Sequence, residues 1–197
     1  MKASYLILLL FASVSLSAQS TDSTDIKFIE GVIREIQPEG TIYYADNPVK
    51  KTINYIVSCA EGRFKELEKS GVKLSKADIK KLKRKLRKQT DVIYPDSLFQ
   101  NSKRISWDKV TRVVEDENRK LRESILKLPD STNKWNYFSK ERKWAFSFTK
   151  PIYLQSGSIL VHYFMYYANS SGERALRIYR KENGNWIFLG GICVGEW

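Results

Sequence analysis

Two spacings of apolar residues divide the chain into a helix-forming half and a sheet-forming half. Between residues 26 and 130, apolar side chains recur at intervals of three and four, as one face of a helix requires. From residue 135 onward, aromatic and β-branched residues dominate and the apolar positions alternate, as in a strand. The pattern predicts a single α+β domain over residues 26–197, with helices over 26–130 packed on an antiparallel β-meander over 135–197.

Four helices and one short strand are predicted in the first half. Asn47 and Pro48 are typical of a helix start. Ser75 and Asp78 form a capping-box pattern before the third helix, and Ser106 is the expected N-cap of the fourth. The predicted helices cover 26–36, the stretch from Pro48 to a stop at Ser70-Gly71, 76–88 and 107–126, and the strand covers 41–44.

The second half is predicted to form strands joined by tight turns. Asn183-Gly184 is a strong signal for a two-residue hairpin. The stretch 158–167 is apolar on both faces, so we expect it in the interior of the sheet. The predicted strands cover 145–149, 152–154, 158–167, 174–181, 185–189 and 192–197.

Residues 1–18 have the three-part layout of a secretory signal peptide. Lys2 gives a positive start, an uncharged apolar core follows, and small residues precede a cleavage site after Ala18. The apolar run is shorter than the roughly 20 residues of a membrane span; an uncleaved N-terminal anchor is the alternative. Residues 19–25 are expected to be a flexible leader. These features predict a secreted or periplasmic protein with no transmembrane segment after signal cleavage.

The chain is strongly basic, with a formal net charge of +12, and its cations are densest in the predicted helix 76–88. Such a charge favours anionic partners, here an anionic envelope polymer, a lipid head group or a protein. Nucleic acid is disfavoured by the export signal. The alternative is that the cations are only the solvated outer face of a peripheral helix. The predicted contact residues are Lys80, Lys81, Arg84, Lys85 and Arg87.

Two cysteines, Cys59 and Cys193, leave two interpretations open. An exported protein can form a disulfide between them, but both residues also suit a buried, unpaired position. With two cysteines and one histidine in the whole chain, no metal site is expected, because structural zinc takes four such ligands.

Catalytic chemistry has one candidate, the single histidine, His162. A histidine that acts as a general base needs a substrate within hydrogen-bond reach and an orienting carboxylate. On its strand, His162 lies between Leu160 and Phe164 on one face, which is more typical of a packed and hydrogen-bonded core residue. No phosphate-binding loop, nucleophile elbow or paired-carboxylate motif is present, and no cofactor is expected.

The C-terminal third is rich in aromatic residues, which have two interpretations. If they are exposed, they could stack on sugar rings or hold a peptide. Their alternation favours the other interpretation, in which they form the core of the sheet. The set is Trp135, Tyr137, Phe138, Trp144, Tyr153, Tyr163, Tyr166, Tyr167, Tyr179 and Trp186.

Residues 74–197 contain an ordered set of motifs. They are Phe146-Ser147-Phe148-Thr149-Lys150-Pro151-Ile152, a long aromatic strand, and Lys181-Glu182-Asn183-Gly184-Asn185-Trp186, which is similar to a G-x-W hairpin, with a helical stretch upstream from Leu74-Ser75 through Leu98-Phe99 and Ile105-Ser106. This order resembles a type of exported Bacteroidota protein. Many of these proteins have Cys-Gly pairs in a hairpin where this chain has 168–172, so no role of those cysteines carries over. The resemblance implies the fold and the compartment, and no activity.

Together these observations predict a non-catalytic exported binding protein of the cell envelope or exterior, with the basic helix as its contact surface. Two other functions remain open. One is a small hydrolase that uses His162, and the other is a structural part of an envelope assembly.

Overall fold

The computed structural model describes residues 23–45, 50–69, 71–89, 94–168 and 171–196. The predicted signal peptide and the predicted helix start at Asn47-Pro48 lie outside these ranges. The α-helices of the described chain are α1 (Ser23–Ile36), α2 (Lys50–Lys69), α3 (Lys76–Lys88), α4 (Trp107–Leu126) and α5 (Lys134–Glu141). The strands are β1 (Ile42–Ala45), β2 (Ser102–Ile105), β3 (Ala145–Phe148), β4 (Ile152–Leu154), β5 (Ile159–Ala168), β6 (Ser171–Glu182) and β7 (Asn185–Glu196).

The described strands form one seven-stranded sheet. Its order is β2-β1-β3-β5-β6-β7, and β4 also pairs with β5. β1 is parallel to both β2 and β3, whereas the pairs from β3 to β7 are antiparallel. The α+β class predicted from the sequence is confirmed. The division into a helical half and a sheet half is less complete than predicted, since β1 and β2 come from the first half.

Helices cover both faces of the sheet, which explains why β5 is apolar on both sides. Leu160 and Phe164 lie in a core cluster with residues of α1 and α4. Val161 and Tyr163, which point to the other face, lie in a second cluster with residues of α2 and α3. The predicted interior position of this strand is confirmed.

One local prediction for the helices is wrong, and another is confirmed in position only. α1 begins at Ser23, so residues 23–25 are helical and not part of a flexible leader. Ser106 occupies the N-cap position of α4, but its side chain makes no capping hydrogen bond to the backbone. The Ser106 hydroxyl instead hydrogen-bonds to the carboxylate of Asp108, and this bond lowers the pKa of that carboxyl.

Helix α5 occupies a segment that the sequence predicts as the start of the sheet. Its first turn is capped by Asn133, whose side-chain oxygen accepts a hydrogen bond from the backbone N–H of Asn136 at 3.0 Å. Phe138 is buried, with the guanidinium of Arg122 from α4 4.8 Å from the ring centroid. An aromatic-rich segment is thus helical here because a cap and a contact with α4 outweigh its strand propensity.

The hairpin between β6 and β7 has the predicted turn, and β7 has irregularities beyond it. Asn183 and Gly184 have φ angles of 50° and 85°, as a type I′ turn requires. The pairing of β6 with β7 shifts register twice, near Gly190 and near Cys193. Cys193 has a φ of 58°, which is uncommon for a residue with a side chain.

Candidate functional site

The N-terminal end of the basic helix α3 is held by a complete capping box. The Ser75 hydroxyl accepts a hydrogen bond from the backbone N–H of Asp78 at 3.1 Å. In return, the backbone N–H of Ser75 donates to the Asp78 carboxylate at 3.2 Å. Hydrogen bonding to Ser75 lowers the pKa of Asp78. The capping box predicted from residues 75 and 78 is confirmed, and so are the predicted helix bounds.

The apolar stripe of α3 docks the helix on the core. Leu82 and Leu86 are each 1% exposed and belong to the cluster with Leu154 of β4 and Ile56 of α2. Just beyond the helix, the buried side-chain oxygen of Gln89 accepts a hydrogen bond from the backbone N–H of Lys150 at 3.0 Å. The helix is therefore held at both ends and along one side, so the positions of its outward side chains are set by the fold.

The outward face of α3 consists of cations around one small residue. A helix turns by about 100° per residue, which places five basic side chains opposite the buried stripe, with Ala77 among them. Four of the five are exposed, and Lys81 is half-buried. We call this set the basic face: Lys80, Lys81, Arg84, Arg87 and Lys88.

A surface concavity of about 740 Å³ follows the basic face. Its described lining residues all belong to α3: they are the basic face, Ala77 and Lys83. The basic face presents ammonium and guanidinium groups, which can form charge-assisted hydrogen bonds to phosphate, sulfate or carboxylate oxygens.

Three cations of α3, namely Lys76, Lys83 and Lys85, lie outside the basic face. The Lys83 ammonium forms a salt bridge of 2.5 Å with the carboxylate of Glu61 on α2. The same contact lowers the pKa of Glu61, and Arg87 adds a smaller effect in the same direction. Lys85 is exposed and lies on the other side of the basic face from Lys83, at nearly the same angle around the helix as Asp78.

Of the five contact residues predicted from the sequence, the structure therefore brings four together, and Lys85 is the exception. Lys88 belongs to the same face but was not among those predicted. Counting residues by helical angle from the Leu82–Leu86 stripe would have found it.

His162 lies in the core and has no exposed surface. Its ring is 5.3 Å from that of Phe28 and 5.8 Å from that of Tyr179, measured between centroids. Neither ring nitrogen has a hydrogen-bond partner within the described part of the chain. Burial, with a contribution from the Arg177 charge, lowers the pKa of His162 to about 3. The expected core packing is confirmed, whereas the expected hydrogen bonding is wrong.

Cys59 and Cys193 form a disulfide, with Cα atoms 5.9 Å apart. The bond connects α2 to the irregular part of β7, across 134 residues of sequence. Of the two interpretations that the sequence left open, the structure selects the bridge.

The aromatic residues of the C-terminal third mainly form the core, as their alternation favours. Trp144, Tyr163 and Tyr179 are buried. The exceptions are on α5, where Trp135 and Tyr137 are 72% and 45% exposed. They lie about 160° apart around the helix, so they do not form one binding platform.

The described residues contain no group of three or more His, Cys, Asp or Glu side chains placed to hold a metal ion. Within the same residues, no helix has both the length and the apolar character needed to cross a membrane.

No protein family, curated protein or solved structure matches the chain. The basic face is therefore described from its own geometry and charge.

Proposed function

We propose that this chain is an exported, non-catalytic binding protein, and that the basic face contacts an anionic ligand of the cell envelope. The observation that carries the proposal is the convergence of Lys80, Lys81, Arg84, Arg87 and Lys88 on one outward surface of a firmly docked helix. Because the helix is already formed, its backbone loses little conformational freedom when these cations bind a ligand. The resemblance to exported Bacteroidota proteins and the signal-like residues 1–18 support an envelope or extracellular location.

The surroundings of the basic face favour a contact role over simple solvation. Asp78 is the only acidic residue within α3, and its carboxylate is engaged with Ser75 at the N-cap. Glu61, an acidic residue of α2, is bound by Lys83 at the side of the face, and Arg87 also acts on its charge. A ligand that approaches the outward side therefore meets cations without interspersed carboxylates from this helix.

The hydrolase alternative depends on His162, and its placement does not favour that role. A general base has to reach the proton that it removes, directly or through one water. His162 has no exposed surface, and aromatic rings surround it. Its low pKa follows from burial and identifies a neutral core residue rather than a base tuned to work near neutral pH.

Neutralising the contact residues tests the proposed function. Lys80, Lys81, Arg84, Arg87 and Lys88 are replaced by Gln in the mature protein, and retention on immobilised heparin is measured as a function of salt. We expect the variant to elute at much lower salt than the wild type, because each lost contact with an anion reduces the salt-dependent part of the affinity. Gln is a good helix former, so circular dichroism should be unchanged.

A control variant with the same charge change separates the basic face from net charge. It replaces five exposed lysines on other elements by Gln, namely Lys27, Lys103, Lys109, Lys127 and Lys140. This control should elute close to the wild type. Unchanged retention of the α3 variant, or equal loss in both variants, would contradict a contact role for the basic face.

Export is tested separately by the mature N-terminus. When the full chain is expressed in a Gram-negative host, we expect the protein in the periplasmic or extracellular fraction, with Gln19 as its first residue. Intact-mass analysis and N-terminal sequencing check both points. A full-length chain that begins at Met1 and stays with the membrane fraction would indicate the uncleaved anchor instead.

A further inference from the structure

The basic face contains an oblique row of cations, because residues four apart on a helix form a ridge inclined by about 26° to its axis. Lys80, Arg84 and Lys88 are four residues apart, and a helix rises about 1.5 Å per residue. Successive cations of the row are therefore about 6 Å apart along the axis, and the row spans about 12 Å. All three side chains are exposed. Lys81 and Arg87 flank the row, so the charge is arranged as a line and not as a single cluster.

This line of charge suits a ligand that is itself a chain of charges. A single phosphate or carboxylate can contact only one or two members of the row at a time. A polymer with an anionic group on each repeat can contact several at once, and the second and later contacts gain from a high effective concentration. The concavity along the face follows the same residues, Lys80 through Lys88.

The face lacks two groups that commonly help proteins to bind membranes and single-stranded nucleic acid. Helices that lie on membranes insert an apolar face into the lipid, but the apolar face of α3, with Leu82 and Leu86, is buried in the protein. Proteins that hold single-stranded nucleic acid stack its bases on aromatic side chains, and α3 contains no aromatic residue. Both comparisons favour a polymer without bases and outside the bilayer.

We propose that the ligand of the basic face is a linear acidic polysaccharide, whose chain crosses α3 obliquely, over Lys80, Arg84 and Lys88. The proposal rests on the proposed function, since it names the ligand class and its direction at the same surface. Carboxylate or sulfate groups of the sugar chain bind the row, while Lys81 and Arg87 contact groups at its sides.

The test compares two triple variants of equal charge on defined heparin oligosaccharides. The row variant is Lys80→Gln, Arg84→Gln and Lys88→Gln. The control is Lys103→Gln, Lys109→Gln and Lys127→Gln, which removes three exposed cations away from α3. We expect the row variant to bind a dodecasaccharide about tenfold more weakly or worse, and its salt dependence to lose about two to three counterions. The control substitutions should weaken binding by less than about threefold, since salt screens the attraction between the ligand and distant charges.

The length of the oligosaccharide provides a second readout. For the wild type, affinity should rise from a disaccharide to a chain that spans the row, and then increase only slowly. Polyphosphate of similar length serves as a comparison, and weaker binding than the sugar chain is expected. Stronger binding of polyphosphate would overturn the choice of polysaccharide.

Three results would overturn the linear mode while leaving the proposed function intact. The first is an equal loss of oligosaccharide affinity in the row and control variants, while the five-residue variant still loses heparin retention. The second is an affinity that does not depend on oligosaccharide length. The third is tight binding to vesicles of anionic phospholipid with none to the oligosaccharides, which would identify a membrane as the partner. Unchanged heparin retention of the five-residue variant would instead contradict the proposed function itself.

Discussion

Replacing both Cys59 and Cys193 by Ser is expected to lower the free energy of unfolding by about 2–4 kcal/mol. The disulfide closes a loop with a sequence separation of 134 residues, so the unfolded chain gains much freedom when the bond is absent. The bond also ties α2 to β7, the edge strand of the described sheet, at Cys193, which itself has a positive φ. Urea unfolding of the wild type and the double variant, both without reductant, measures the difference.

Reduction of the wild type provides the control for this prediction. Wild type in excess reductant should approach the stability of the double variant, whereas the double variant should not respond to the reductant. A double variant with the stability of the oxidised wild type would contradict the prediction. We also expect hydrogen exchange to rise first in β7, because an edge strand has one hydrogen-bonded neighbour.

The stability of the protein is expected to fall as the pH decreases below about 6.5. The folded-state pKa of His162 is about 3, whereas that of an exposed histidine is near 6.5. Between these values the unfolded chain binds a proton that the folded chain does not bind, so acid favours unfolding. The full stability is present above the unfolded pKa, and the slope at lower pH approaches about 1.4 kcal/mol per pH unit.

A variant without the titrating group checks the origin of this slope. His162→Phe and His162→Leu both place an apolar side chain among Phe28, Phe164 and Tyr179. Either variant should show a much flatter dependence of unfolding free energy on pH between about 5 and 6.5. Since His162 is the only histidine, an unchanged slope in both variants would show that other groups cause the acid sensitivity.

Local signals in the sequence predicted α3 with its correct bounds. Ser75 and Asp78 cap the helix through atoms three residues apart, and the spacing of Ile79, Leu82 and Leu86 depends only on the helical repeat. The Asn183-Gly184 turn was predictable for the same reason. Such features depend on neighbours along the chain, and a single sequence shows those neighbours.

Features that depend on distant residues were not predictable in this way. The parallel pairing of β1 with β2 and β3 joins segments far apart in sequence, and short strands provide little pattern. Helix α5 was not predicted, and its residues were assigned to the sheet region, because its contact with α4 is tertiary. The lack of hydrogen-bond partners at His162 depends on side chains from other elements, so the sequence could not reveal it.

For the candidate site, the sequence by itself determined that a basic helix exists and where it begins and ends. It did so because capping, helical repeat and charge are properties of consecutive residues. Only the tertiary structure decided which cations form one outward face, since this depends on where Leu82 and Leu86 dock and on the capture of Lys83 by Glu61. It also decided that Cys59 meets Cys193, because pairing requires the two Cα atoms to be close in space.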